Sequence, residues 1–290
     1  MPAIFKRTFR VRHYECDAYG HLNNVNYVRY MQEIALDASA DVGWTNERYQ
    51  EIGHQWLIRE TDIEYLQPLY WNDEVEITTY IVDFRRVQSR RYYEFRRVSD
   101  DALIAKAHTN WVYLNTETLK PARIPGTMIQ DFSQGSPIDS LNYEKFPTPP
   151  PAPDGMFTLQ KRAEWRDIDT VGHVNNAAYM GYCEDASTQV GRHIDWTSQR
   201  MIDEGFAMIF RRFRIQYLQS AILDDVINVN TWVSNVKRAT ALRHYDLIRE
   251  SDNERLARAY GMIVCFDLNK LRPMRVPQHF LEAFAHNIVP

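Results

Sequence analysis

Asp17-Ala18-Tyr19-Gly20-His21-Leu22-Asn23-Asn24-Val25-Asn26-Tyr27 returns as Asp169-Thr170-Val171-Gly172-His173-Val174-Asn175-Asn176-Ala177-Ala178-Tyr179, displaced by 152 residues. Held without a gap, the same offset carries Tyr30 onto Tyr182, Trp44 onto Trp196 and Arg59 onto Arg211. It also carries Tyr65-Leu66-Gln67 onto Tyr217-Leu218-Gln219, Asp73 onto Asp225, Arg97 onto Arg249 and Pro125 onto Pro277. A register kept over such a span marks a tandem duplication. The 290 residues, which length alone would divide into two ordinary domains, are one folding unit written twice.

Outward from the motif, both copies read alike. Phe5 to Cys16 alternates as a strand, with Phe9, Val11 and His13 on one side. A short polar loop carrying Gly20 follows. From Val25 the pattern turns helical: Tyr27, Tyr30, Met31, Ile34, Ala35 and Ala38 share one face, with Asn23 or Asn24 as N-cap and Gly43 as a stop. Four strand-like runs then form a meander, Trp56 to Tyr65, Glu74 to Phe84, Ser89 to Val98 and Leu103 to Leu114. Their counterparts are Met208 to Tyr217, Val226 to Val236, Leu242 to Ile248 and Leu256 to Phe266. A helix buried against one face of a curled antiparallel sheet satisfies both patterns, so the class is α+β. The expected layout is 1–132, a Pro-rich linker 133–156 containing Pro147-Thr-Pro149-Pro150-Pro151-Ala-Pro153, and 157–290.

Composition narrows the function. With 34 Lys and Arg against 38 Asp and Glu, the formal charge is −4, which excludes a globally basic nucleic-acid binder. No apolar run is long enough to span a membrane. Met1 to Phe9 has no apolar h-region, so no secretory signal is expected. The three cysteines, Cys16, Cys183 and Cys265, describe no disulfide framework, which points to a reducing compartment, the cytoplasm. The nine histidines lack metal-ligand spacing, so no metal site is expected.

The motif is where chemistry can sit. A carboxylate at a strand end, a glycine that lets a ligand approach the backbone, and a helix start form a site for a polarised carbonyl. Free amides around Gly20-His21 and Gly172-His173 would face outward and stabilise an oxyanion. Asp17 and Asp169 could attack the carbonyl or activate water. Glu15 and its counterpart Asp167, two residues back on the same strand face, would raise the aspartate pKa by like charge. The plainer alternative is that the aspartates cap and the glycines turn. Retention of the string while Ala18/Thr170 and Tyr19/Val171 drift favours function.

The string Asp-x-x-Gly-His-x-Asn-Asn-x-x-Tyr, after a first strand and opening a long helix, resembles the hotdog-fold acyl-CoA thioesterases of the 4-hydroxybenzoyl-CoA thioesterase and YbgC-like group. The resemblance covers both copies, in tandem double-hotdog form. It implies Asp17 and Asp169 as catalytic carboxylates, Gly20-His21 and Gly172-His173 as carbonyl-polarising amides, and Asn24, Tyr27, Asn176 and Tyr179 as lining the acyl and thioester pocket. It further implies an acyl-CoA or acyl-carrier-protein substrate, no cofactor beyond the CoA of the substrate, and hotdog units pairing side by side within the chain, with further homo-oligomers left open. Double-hotdog acyl-carrier-protein thioesterases usually keep one working half, whereas here neither aspartate has decayed.

Other chemistries find less support. There is no Gly-x-Ser-x-Gly elbow, no Gly-x-Gly-x-x-Gly, and no Asp-x-Asn-Pro-x-His of hotdog hydratases. Cys16 faces Ile168 in the second copy, so a thiol nucleophile is unsupported, and Glu33 and Asp185 are fallback bases. His21 reads as a loop-ordering residue. Arg85-Arg86 with Arg90-Arg91, and Lys237-Arg238 with Arg243, sit at corresponding turns and could meet CoA phosphates. The leading expectation is a thioester hydrolase, and the alternative is a non-catalytic acyl-thioester binding module.

Overall fold

A computed structural model describes residues 2–135 and 144–289, and divides the chain into two units, Met1–Lys145 and Phe146–Pro290. Residues 136–143 of the expected linker lie outside the described residues.

In the first unit a strand β1 (Phe5–Arg10) leads into helix α1 (Asn24–Asp41), a short helix α2 (Asn46–Glu51), four strands and a closing helix. The strands are β2 (His54–Tyr65), β3 (Glu74–Phe84), β4 (Gln88–Arg97) and β5 (Leu103–Asn115), and the closing helix is α3 (Gly126–Ser133). The second unit repeats the order with β6 (Phe157–Arg162), α4 (Asn176–His193), α5 (Ser198–Asp203), β7 (Phe206–Tyr217), β8 (Val226–Ser234), β9 (Thr240–Arg249), β10 (Arg255–Asp267) and α6 (Gln278–Phe284). The α+β class holds.

The four strands are not a simple meander. β3, β4 and β5 pair in succession, but β1 takes the place beside β3, and β2 pairs with β5. The second unit does the same, with β6 beside β8 and β7 beside β10. The residues between β2 and β3 are therefore a crossover rather than a hairpin turn. Sequence patterning shows where strands are, but neighbours are chosen by the helix they must cover.

α1 lies on the inner face of the sheet through the stripe read from its 3.6-residue period. Tyr27, Val28, Tyr30, Met31, Ile34, Ala35 and Ala38 are all buried. Alternation along β3 and β4 supplies the opposing face: Val75, Ile77, Tyr93 and Phe95 are fully buried. Side chains of this kind contribute about 1.5–3 kcal/mol each on burial. Four short helices escaped the sequence reading: α2 and α5, which precede β2 and β7, and the closing helices α3 and α6. α3 and α6 close the cores through Met128 and Phe132, and through Phe280 and Phe284. Of the linker, Phe146 stacks edge-on against Tyr260 and under the Arg258 guanidinium, and the Gly155 carbonyl accepts from Asn287 Nδ2.

Candidate active site

β1 ends at Arg10, and the chain turns through a single 3-10 turn at His13–Glu15 before reaching Asp17. The loop that follows is closed on itself. Cys16 bridges Leu22, the Asp17 N–H donates to the His21 carbonyl (2.8 Å), and the Gly20 N–H donates to the Asp17 carbonyl (3.0 Å). The turn needs Gly20 at φ +77°, and Gly172 repeats it at +84°. Asp17 Oδ1 accepts from the Tyr19 N–H (2.8 Å) and the His21 N–H (3.1 Å). Asp169 Oδ1 accepts from the Val171 N–H (3.0 Å), while Gly172 N–H returns to the Asp169 carbonyl (2.9 Å). One carboxylate oxygen is thus fixed in each copy, and no described residue bonds to the other.

This corrects the picture of free amides facing outward. In the first copy the Gly20 and His21 N–H groups are both engaged inside the loop, because the aspartate folds back over its own turn. In the second copy the Gly172 N–H is engaged, and His173 N–H meets no acceptor among the described residues.

Glu15 also departs from expectation. The strand has ended before it, so it does not share a strand face with Asp17. Its buried carboxylate accepts from the Tyr30 hydroxyl (2.5 Å), the Arg12 N–H (2.8 Å) and Arg12 Nη1 (3.2 Å). Its carbonyl accepts from Asn23 N–H and Asn26 Nδ2. Asp167 repeats this with the Tyr182 hydroxyl (2.7 Å) and the Glu164 N–H (3.0 Å). The carboxylate ties the loop to the helix, and burial together with this neighbour pushes the Tyr30 hydroxyl pKa far up.

The helix start is capped by Asn23, whose side chain accepts from Val25 N–H, and by Asn175 onto Ala177 N–H. Asn24 and Asn176 are the first helical residues, half-buried beside the loop. Tyr27 and Tyr179 are 2% exposed and act as core pillars rather than open pocket walls. Ala221 N–H donates to the Tyr179 hydroxyl (2.9 Å), and the Leu69 backbone bonds Tyr27 likewise. Burial raises the Tyr179 hydroxyl to about 12.

Leu69 and Ala221 lie on the crossovers, which the sequence reading had passed over. Leu22 N–H donates to the Leu69 carbonyl (2.7 Å), and Val174 N–H to that of Ala221 (2.9 Å). Each crossover is held by an arginine. Arg249 pairs with Asp225 (3.0 Å) and donates to the Ser220 carbonyl (2.6 Å), while Arg97 pairs with Asp73 (3.5 Å) and the Pro68 carbonyl (3.0 Å). The signal was present, since both pairs recur at the repeat offset.

The arginine turns fall elsewhere within each unit. β1 pairs Arg10 with Glu74, so the motif loop sits at the Glu74 end of β3. Arg85 and Arg86 follow the other end, about 30 Å away at strand rise. They are exposed, as are Lys237 and Arg238, and Arg85 pairs with Asp83 (3.1 Å). Arg90 is half-buried and engaged. Arg91 and Arg243 contradict the phosphate assignment: alternation turns both to the inner face, where they are 5% and 6% exposed. Each donates to a threonine, Thr79 (3.4 Å) and Thr231 (3.3 Å), and lies over Phe132 or Phe284. Of the fallback bases, Glu33 is exposed and Asp185 pairs with Lys161 at 2.9 Å. Among the described residues no cluster of three His, Cys, Asp or Glu could hold a metal, and no helix is long and apolar enough to cross a membrane.

The sequence pattern of the thioesterase-like superfamily matches residues 11–132 and again 163–284, so each match contains one copy of the loop just described. The chain belongs to the thioesterase-like superfamily. Among relatives, an acyl-CoA thioesterase, YbgC, of Haemophilus influenzae is 34% identical over 134 residues, spanning 46% of this chain and 97% of its own length. A chloroplastic acyl-[acyl-carrier-protein] hydrolase of Cuphea viscosissima is 22% identical over 189 residues, 62% of this chain and 46% of its own. Among solved structures, a 12:0-ACP thioesterase from Umbellularia californica superimposes with a TM-score of 0.71 at 21% identity, covering 91% of this chain and 94% of the other. An acyl-ACP thioesterase from Bacteroides thetaiotaomicron gives 0.69 at 18%, covering 90% and 98%. These two establish the hotdog-type tandem fold for this superfamily member.

Proposed function

We propose that this member of the thioesterase-like superfamily hydrolyses acyl-CoA thioesters to the free acid and CoA, with Asp17 and Asp169 as the working carboxylates. The observation that supports this most is the loop itself, built twice with one aspartate oxygen fixed and the other without a described partner. As general base, the aspartate takes a proton from water as the water oxygen attacks the thioester carbonyl. The tetrahedral intermediate collapses, the carbon–sulfur bond breaks, and the thiolate recovers the proton as CoA. As nucleophile, the same oxygen would form an anhydride that water then opens. His173 N–H is the ready oxyanion donor of the second copy, while the Gly172 N–H is held by the Asp169 carbonyl. In the first copy, the His21 N–H must be shared with, or released from, Asp17. Each such donor lowers the barrier by about 3 kcal/mol.

The route calls for no metal or redox cofactor, and the reaction suits a cytoplasmic enzyme. The relatives named for acyl-carrier-protein substrates support a second reading in which the thiol carrier is a protein. The test is thiol release from a panel of acyl-CoAs and acyl-carrier proteins by Asp17→Asn, Asp169→Asn and the double variant. The double variant should lose about 100-fold or more in kcat. Full activity in it would reject these carboxylates.

A further inference from the structure

Although the loops are alike, the interiors behind them are not. Next to the motif the inner faces match: Ile63 and Ile215, Tyr65 and Tyr217, Ala107 and Ala259 are pairs of identical residues. Farther along the same strands they diverge in one chemical direction. In the first copy Thr61 pairs across to Thr109, and Thr109 Oγ1 is shared by the Tyr93 hydroxyl (3.0 Å) and Trp111 Nε1 (2.6 Å). In the second copy the same cross-strand pair is Phe213 and Gly261, and Ile263 replaces Trp111. There Phe213 packs edge-on against Phe210 and at a tilt against Tyr245, and a Cβ on Gly261 would collide with the Phe210 ring. Tyr245 turns its hydroxyl to Ser187 instead (2.6 Å).

Two hydroxyls of the first interior have no hydrogen-bond partner among the described residues: Thr61 Oγ1, on a fully buried residue, and Tyr113 Oη, on one 1% exposed. The position matching Tyr113 is Cys265, and the one matching Thr61 is Phe213. A buried hydroxyl without a partner is unfavourable unless something fills the role. An acyl tail bound at the motif leaves water by entering the interior behind it.

We propose that the two copies take different acyl groups: the first reads a hydrogen-bonding group, such as a hydroxyl, on the distal part of its acyl chain through Thr61 and Tyr113, and the second accepts plain hydrocarbon. This rests on the thioesterase reading. Identity near the reacting carbon keeps the chemistry common, and divergence at the far end sets selectivity. A site built to bond a hydroxyl rejects the analogue lacking it far more strongly than an apolar site rejects an added hydroxyl.

The test compares wild type with Thr61→Val/Tyr113→Phe, which removes only the two hydroxyls. ω-Hydroxydodecanoyl-CoA and dodecanoyl-CoA serve as substrates, and their non-hydrolysable thioether analogues serve for calorimetric binding. The hydroxy-to-alkyl ratio of kcat/KM, and of affinity for the analogues, should fall about tenfold or more, with the melting temperature unchanged or raised. An unchanged ratio overturns the proposal. So does an equal loss on both substrates with a lowered melting temperature, because the hydroxyls would then be structural. If wild type hydrolyses neither ester, the thioesterase reading fails for these two acyl-CoAs, and the affinity ratio of the analogues still decides the inference.

Discussion

The Tyr30 hydroxyl donates a 2.5 Å hydrogen bond to the buried Glu15 carboxylate, two residues before Asp17, and Tyr182 does the same to Asp167 at 2.7 Å. The bond joins the second turn of the core helix to the turn that leads into the motif loop. Tyr30→Phe leaves the carboxylate short of one donor, and a bond to a charged group contributes about 1.5–3 kcal/mol. Urea unfolding should show a loss of that size. Thiol-release kinetics of Tyr30→Phe/Tyr182→Phe should show kcat falling with KM nearly unchanged, since the loop is displaced and not the acyl interior.

The crossover that receives the motif depends on Arg249. Its ion pair with Asp225 is largely shielded, at 20% and 16% side-chain exposure, and it also holds the Ser220 carbonyl. Arg249→Met should destabilise the second unit by about 2 kcal/mol, less than a fully buried pair would cost. Calorimetry checks the stability, and hydrogen exchange at Val174 checks the loosening of its bond to Ala221.

Gly261 and Phe210 form a size-compensated pair, with Phe213 directly across the sheet. Gly261→Thr, which installs the residue of the first copy, collides with the Phe210 and Phe213 rings and should cost about 1–3 kcal/mol. Adding Phe210→Ile, the residue of the first copy at Ile58, should recover part of that loss. The double-mutant cycle should give a coupling of at least about 0.5 kcal/mol, whereas additivity would mean the rings move aside freely.

His244 gives the second unit a pH dependence. Burial, with help from neighbouring Arg243, lowers its pKa to about 4, and its Nε2 meets Ser234 Oγ at 2.7 Å. The folded value lies below the unfolded value of about 6.5, so the unfolded chain binds the proton first. The stability it contributes is complete above pH 6.5 and is lost as pH falls towards 4, up to about 3 kcal/mol in all. His244→Tyr, the residue of the first copy at Tyr92, should flatten unfolding midpoints measured from pH 7 to 4.

Much of the site was legible before the fold. The repeat, the helical stripe from Tyr27 to Ala38, a cap at Asn23 or Asn24 and the placement of Asp17 between the first strand and the helix all follow from local spacing, and the structure keeps them, with Asn23 as the cap. What failed depended on where the backbone goes next. Glu15 looked like a neighbour of Asp17 on a strand, but the strand stops at Arg10 and the carboxylate goes to Tyr30. Arg91 looked like part of a basic turn, but its parity with Tyr93 and Phe95 sends it inward.

The sequence by itself determined the duplication, the α+β class and the repeated Asp-x-x-Gly-His-x-Asn-Asn-x-x-Tyr string, because periodicity and repetition are properties of neighbours along the chain. Only the tertiary structure decided that β2 leaves its neighbour β3 for β5, so that a crossover brings Leu69 under Leu22 and Tyr27. It alone showed that the loop amides are engaged by Asp17. Both depend on hydrogen bonds between segments far apart in sequence or folded back on themselves. No local pattern encodes them, because each donor's partner is fixed only once the helix has settled on the sheet.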